Sequence, residues 1–132
     1  MAELSLPVTT YLAVSLSFWL LVLSWAVIKT RETTKTSLGQ GNDQTLLRRV
    51  RAQANLTEYA PLFVILIGLS ELQDGNVFVI AVLAFAFLAG RLAHGYALAF
   101  TEKNVLGRVG GIALSLLSMA LGSIYCLSLV VF

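Results

Sequence analysis

Between residues 48 and 59 the chain sets out Arg48, Arg51, Asn55, Glu58 and Tyr59 at separations of three, four, three and one. On a helix turning about 100° per residue these five fall within one arc about 100° wide. One face would then carry two cations, an amide, a carboxylate and a phenol, while Arg49 and Gln53 point to the other side. Such a face can hold a polar ligand between helices. It can also be a structural network, in which Arg51 and Asn55 serve Glu58 across a bundle. Both readings stay open on the residues alone.

A second set lies in GRLAHGYAL, residues 90–98, where Arg91 and His94 are i,i+3 neighbours on one helix face. Tyr96 falls on the opposite face. Arg108 stands just before Gly110 and Gly111. It is either an anchor that snorkels to headgroups or a cation aimed into the same cleft. His, Cys and Glu do not recur at metal-ligand spacing, so no metal site is expected. Cys126 sits in apolar sequence, where a thiolate is disfavoured, and it lacks a second cysteine to pair with. Asn55-Leu56-Thr57 matches a glycosylation sequon but falls in a helix at the membrane.

The elements that must carry these residues are membrane helices. The chain is 58% hydrophobic with mean hydropathy +0.84, and 12% charged, about half the charged share of a soluble domain. The net charge of +2 and the lack of a basic stripe argue against nucleic acid as a partner. Four spans fit, at about 5–28, 46–72, 76–100 and 106–131, within one domain covering 1–132. A span needs about 20 apolar residues, and each must be helical because lipid offers backbone groups no partner. The first span has no charge and no basic residue before it, and reads as an anchor instead of a cleaved signal. The fold class is therefore an all-α membrane protein, a four-transmembrane-helix bundle.

Lys29, Arg31, Lys35, Arg48, Arg49 and Arg51 gather between spans one and two; Lys103 and Arg108 lie between three and four. The loop between two and three holds Glu71 and Asp74 and no basic residue. The positive-inside rule puts both basic loops in the cytosol and both termini outside. KTSLGQGNDQ, residues 35–44, reads as a flexible linker. With Glu71 at the outer interface and about 1.5 Å of rise per residue, Glu58 lies about 20 Å deeper and Arg51 about 10 Å further on. A carboxylate at that depth costs roughly 2.5–3.5 kcal/mol without partners. Pro61 should kink span two near Glu58. Gly107 to Gly111 and Ser118 to Gly122 have the spacing of small residues that let helices approach.

The stretch RVRAQANLTEYAPLF resembles the second-helix motif of the MAPEG family, membrane-associated proteins in eicosanoid and glutathione metabolism, and most of all its leukotriene-C synthase branch. AGRLAHGYA is similar to the third-helix motif of bacterial members and of the prostaglandin-E synthase branch. Length, four spans and terminal orientation agree along the whole chain. The resemblance implies a homotrimer of four-helix bundles with glutathione, as cosubstrate, bound between subunits toward the cytosol. It implies glutathione contacts from Arg51, Asn55, Glu58 and Tyr59 of one subunit and from Gln53 toward the neighbouring site. Arg48 shares their face and Arg91 lies beside His94, so both join the expected binding set. Arg31 looks like the family's subunit-crossing arginine, and His94 matches a helix-three ligand position. Across a one-residue gap, Arg108 matches the arginine that stabilises the glutathione thiolate, which makes it the expected catalytic residue. Leu98 departs from the pattern, standing where several members have a ligand tyrosine.

The expected function is a glutathione transferase or glutathione-dependent peroxidase acting on lipophilic electrophiles or lipid hydroperoxides taken from the bilayer. Two other readings stand beside it. One is a lipid-binding scaffold of the same fold without catalysis; the other is a small proton-coupled exporter using Glu58. Likeness to bacterial helix-three motifs, with no eukaryotic retention tail, points to a bacterial inner membrane.

Overall fold

The structure, a computed structural model, describes residues 5–131. Residues 1–4 and Phe132 of the expected 1–132 unit lie outside the described residues. Four helices follow in order: α1 (Pro7–Thr34), α2 (Gln44–Leu72), α3 (Val77–Phe100) and α4 (Val105–Val131). All four are long and apolar enough to cross a membrane, and no strand occurs among the described residues.

Each helix start has an identifiable cause. Pro7 opens α1, where its missing N–H costs nothing. The free amides of that first turn are met by a carboxylate from the far end of α2. Glu71 accepts from Val8 N (3.0 Å), Thr9 N (2.8 Å) and Thr9 Oγ1 (2.6 Å). The negative charge also suits the positive end of the α1 dipole. Asp43 caps α2 by accepting from Leu46 N at 2.6 Å. Asn76 caps α3 through Phe78 N and Val79 N, and Asn104 accepts from Gly107 N at the start of α4.

One boundary lies well away from that expected. The first helix runs on past residue 28 to Thr34, so Lys29 and Arg31 are helical and do not belong to a loop. Hydropathy ends at Ile28, but the backbone ladder continues, helped by the Lys29–Glu32 pair at i,i+3. The helix stops at Lys35, which takes a left-handed conformation. The following linker is folded against Arg31, whose guanidinium donates to the carbonyls of Gly39 (2.8 Å) and Thr36 (3.3 Å). Positive φ at Gly39 and Gly41 lets the linker curl back. Helix α2 continues through Pro61 without interruption.

Helices α2 and α3 touch every other helix, whereas α1 and α4 do not meet. The core lies between α1, α2 and α3, around Leu16, Leu23, Phe63, Ile67, Ile80 and Phe87. Phe63 of α2 stacks on Phe87 of α3 with ring centroids 4.0 Å apart. Helix α4 approaches through small side chains, with Gly111, Ser115, Ser118 and Gly122 buried along one stripe. A Cβ on Gly111 would lie 2.6 Å from His94 N and 2.7 Å from Gly90 O. Backbone therefore packs on backbone at this seam. The outward faces carry large apolar side chains such as Phe18, Trp25, Phe85 and Ile124, as a lipid solvent requires.

Candidate functional site

The buried face of α2 consists of Ala52, Leu56, Ala60, Phe63 and Ile67. Arg51 and Glu58 sit on the opposite side, exposed. Arg48, Asn55 and Tyr59 are half-buried on the flank that turns toward α3 and α4. The polar arc therefore looks out of the bundle over the N-terminal half of the helix. Leu62, Ile65 and Leu69 take over as exposed residues in the C-terminal half.

Arg51 and Glu58 do not neutralise each other. Among the described residues the one ion pair is Lys29–Glu32, at 3.2 Å. The Asn55 amide donates to the Arg51 carbonyl at 2.8 Å, so it serves the helix backbone and neither charge. An exposed cation and carboxylate left without partners at bilayer depth need a polar surface over them, because lipid cannot solvate them. The internal Arg51–Glu58 network considered on the sequence is absent among these contacts.

Arg48 and Arg108 are brought together. They line a small pocket of about 30 Å³, at the end of the bundle where α4 begins, with Leu98, Thr101, Lys103 and Asn104. Arg48 donates to the Thr101 carbonyl at 3.3 Å, while its Nε is buried without an acceptor. Arg108 is exposed at the start of α4, and its carbonyl lies 2.7 Å from His94 Nδ1. That bond ties the arginine's backbone to α3. Leu98 reaches the pocket wall as an apolar side chain, so helix α3 supplies no phenol there. Tyr96 is exposed on the other face and packs against Phe100, with ring centroids 5.8 Å apart.

Four of the expected binding residues lie elsewhere. Arg91 is only 2% exposed and stands inside the bundle behind Tyr59. Gln53 turns inward and donates to Ser24 Oγ of α1 at 2.8 Å. Arg31 is engaged by its own linker, as described above. His94 is buried beneath Arg108, and its Nε2 has no partner.

Arg49 was not among the expected site residues, and its role is one of assembly. Its Nε donates to Ala99 O at 3.2 Å, and one terminal nitrogen reaches Thr30 Oγ1 at 2.5 Å and Ala26 O at 3.3 Å. Its guanidinium also lies 5.9 Å from the Phe100 ring centroid. One side chain thus links α1, α2 and α3 at the end of the bundle where α1 and α3 finish and α2 begins. The signal for it is angular: Arg49 falls on the same arc as Ala52, Leu56 and Phe63. Ser115, which meets Arg91, was missed too; Gly111-x-x-x-Ser115 is its only sequence trace.

Among known proteins, the chain is similar to the inner membrane protein YecN of Escherichia coli strain K12. The two are 27% identical over 89 residues, covering 67% of this chain and 68% of that protein. YecN of Escherichia coli O6:H1 strain CFT073 matches to the same extent. No solved structure matches. The profile of the MAPEG family matches residues 9–128, nearly the whole chain. A four-helix membrane bundle with a polar second helix, matched over that length, belongs to the MAPEG family.

Proposed function

We propose that this protein is a glutathione-dependent membrane enzyme, which conjugates glutathione to lipophilic electrophiles or reduces lipid hydroperoxides with it. The MAPEG family includes glutathione-dependent enzymes. The observation that carries the reading is the outward polar stripe of α2, with Arg51 and Glu58 unpaired and Arg48 and Arg108 converging beside it.

The donor set suits the ligand. Glutathione carries two carboxylates, an ammonium and a thiol. Arg48 and Arg51 complement carboxylates, Glu58 complements the ammonium, and Asn55 and Tyr59 add neutral hydrogen bonds. Arg108 is left for the sulfur. Lowering a thiol pKa by about two requires about 2.7 kcal/mol. A charge-assisted hydrogen bond supplies roughly 1.5–3 kcal/mol, so one guanidinium is of the right size. The nucleophile is then the substrate's sulfur, and buried Cys126 has no part in the chemistry.

In conjugation the sulfur forms a bond to the electrophilic carbon, and the thiol proton leaves to water or to the departing group. In peroxide reduction two glutathione molecules deliver two electrons. The O–O bond breaks, and the products are an alcohol, water and glutathione disulfide. A homotrimer covers the polar stripe with a second copy and closes the ligand between subunits. The lipophilic substrate enters from the bilayer and glutathione from the cytosol, with both termini outside. A bacterial inner membrane is the proposed location, in keeping with the name of the Escherichia coli relative. Arg31 and Gln53 enter this reading through the family likeness alone, since their bonds here are made within the chain.

Equilibrium dialysis of radiolabelled glutathione against the detergent-solubilised protein tests the binding step. Saturable binding, weakened at least tenfold in both Arg51→Ala and Glu58→Gln, is expected. Binding that ignores both substitutions would remove the α2 stripe from the site.

A further inference from the structure

Arg91 is the least accessible charged side chain in the bundle, and no carboxylate pairs with it among the described residues. It is held in other ways. Its Nε donates to Ser115 Oγ of α4 at 2.8 Å, and Ser115 in turn donates to Gly111 O at 2.8 Å. Its NH1 reaches the Asn55 carbonyl of α2 at 3.4 Å. The guanidinium carbon lies 5.2 Å from the centre of the Tyr59 ring and 5.7 Å from that of Phe87.

These contacts form a ladder between two helices. Tyr59 and Phe63 are one turn apart on α2, as are Arg91 and Phe87 on α3. Phe63 stacks on Phe87, and one turn toward the cytosol Tyr59 meets Arg91. The guanidinium carbon lies over both rings, and a planar, weakly hydrated cation suits two aromatic neighbours better than a compact, strongly hydrated ammonium. The third helix completes the clamp because Gly90 lets Ser115 come close. A Cβ on Gly90 would sit 2.5 Å from Ser115 Oγ and 2.8 Å from Gly111 O.

The geometry points to Arg91 as a positioning residue: it fixes the Tyr59 ring and the adjoining turn of α2 from behind, and acts on the ligand through Tyr59. This inference rests on the glutathione reading for its functional consequence, but its structural part does not. A direct ligand would need an open path to the cleft, and Arg91 is sealed behind the phenol. The cation also leaves a net positive charge under the polar stripe, which favours an anionic occupant.

The test is a double-mutant cycle with a spectroscopic reporter. Arg91→Met keeps the volume and removes the charge, and replacing a buried ion by an apolar side chain is often tolerated. Arg91→Lys keeps the charge and loses the plane; Ser115→Ala loosens the clamp without touching Arg91. Each is combined with 3-fluorotyrosine at position 59 and, separately, with Tyr59→Leu. Arg91→Met and Arg91→Lys are expected to weaken glutathione binding about tenfold. Both should shift and broaden the position-59 fluorine resonance, with a smaller change in the same direction for Ser115→Ala. In the Tyr59→Leu background Arg91→Met should add no further loss. Additive losses in the cycle would make Arg91 an independent contributor and overturn the assignment. So would an unchanged fluorine resonance in either Arg91 variant, or full rescue by lysine. If the unmodified protein binds no glutathione, the proposed function fails, while the fluorine comparison still decides whether Arg91 holds Tyr59.

Discussion

Arg49 and Arg51 stand two positions apart on α2 and have opposite fates. Arg49 is satisfied inside the bundle by Ala26, Thr30 and Ala99, and Arg51 is exposed with no ion pair. Arg49→Met leaves those acceptors without their donor, and should cost roughly 1–3 kcal/mol of stability. Thermal melting in detergent would show it as a lowered midpoint. Arg51→Met should leave that midpoint in place and weaken glutathione binding instead. Equal melting losses in the two variants would contradict the division of labour. That Arg51 and Glu58 share one face was legible from the helical period; that this face points out of the bundle was not, and it is seen in their exposure. Burial of Arg91 was not legible either, because an arginine among apolar residues gives no sign of which side another helix will cover. That side is decided by how closely α4 approaches at Gly90 and Gly111.

The α3–α4 seam is the element-scale determinant of the site, since it sets where Arg108 starts α4. Gly111→Ala would place a methyl 2.6 Å from His94 N, against backbone that cannot give way cheaply. A loss of about 1–3 kcal/mol is expected, with weaker thiolate stabilisation as Arg108 moves. Gly110→Ala meets nothing within 4 Å and serves as the neutral control. Melting curves and glutathione titrations of the pair check both statements. At the opposite end of the bundle, Glu71→Gln removes the charge that caps α1 and should cost about 1 kcal/mol. Hydropathy located all four helices but ended the first one early. Termination by a left-handed Lys35 and a linker pinned to Arg31 depends on contacts that a hydropathy window does not contain.

At the scale of the whole molecule, the positive-inside rule predicts that the candidate site faces the cytosol. The α3–α4 connection carries Lys103 and lies at the same end as Arg48 and Arg108. In a Cys126→Ser background, Lys103→Cys should resist a membrane-impermeant maleimide in intact spheroplasts and react after the membrane is opened. Labelling in intact spheroplasts would reverse the orientation and put the candidate site on the outer side.

In the proposed function the polar stripe of α2 and Arg108 together hold glutathione as its thiolate. Ultraviolet difference absorbance in the thiolate band, recorded while the purified protein is titrated with glutathione at neutral pH, tests it most directly. A saturable thiolate signal that disappears in Arg108→Ala while binding persists is expected. Glutathione that binds and stays a thiol, or a signal indifferent to Arg108, would contradict it.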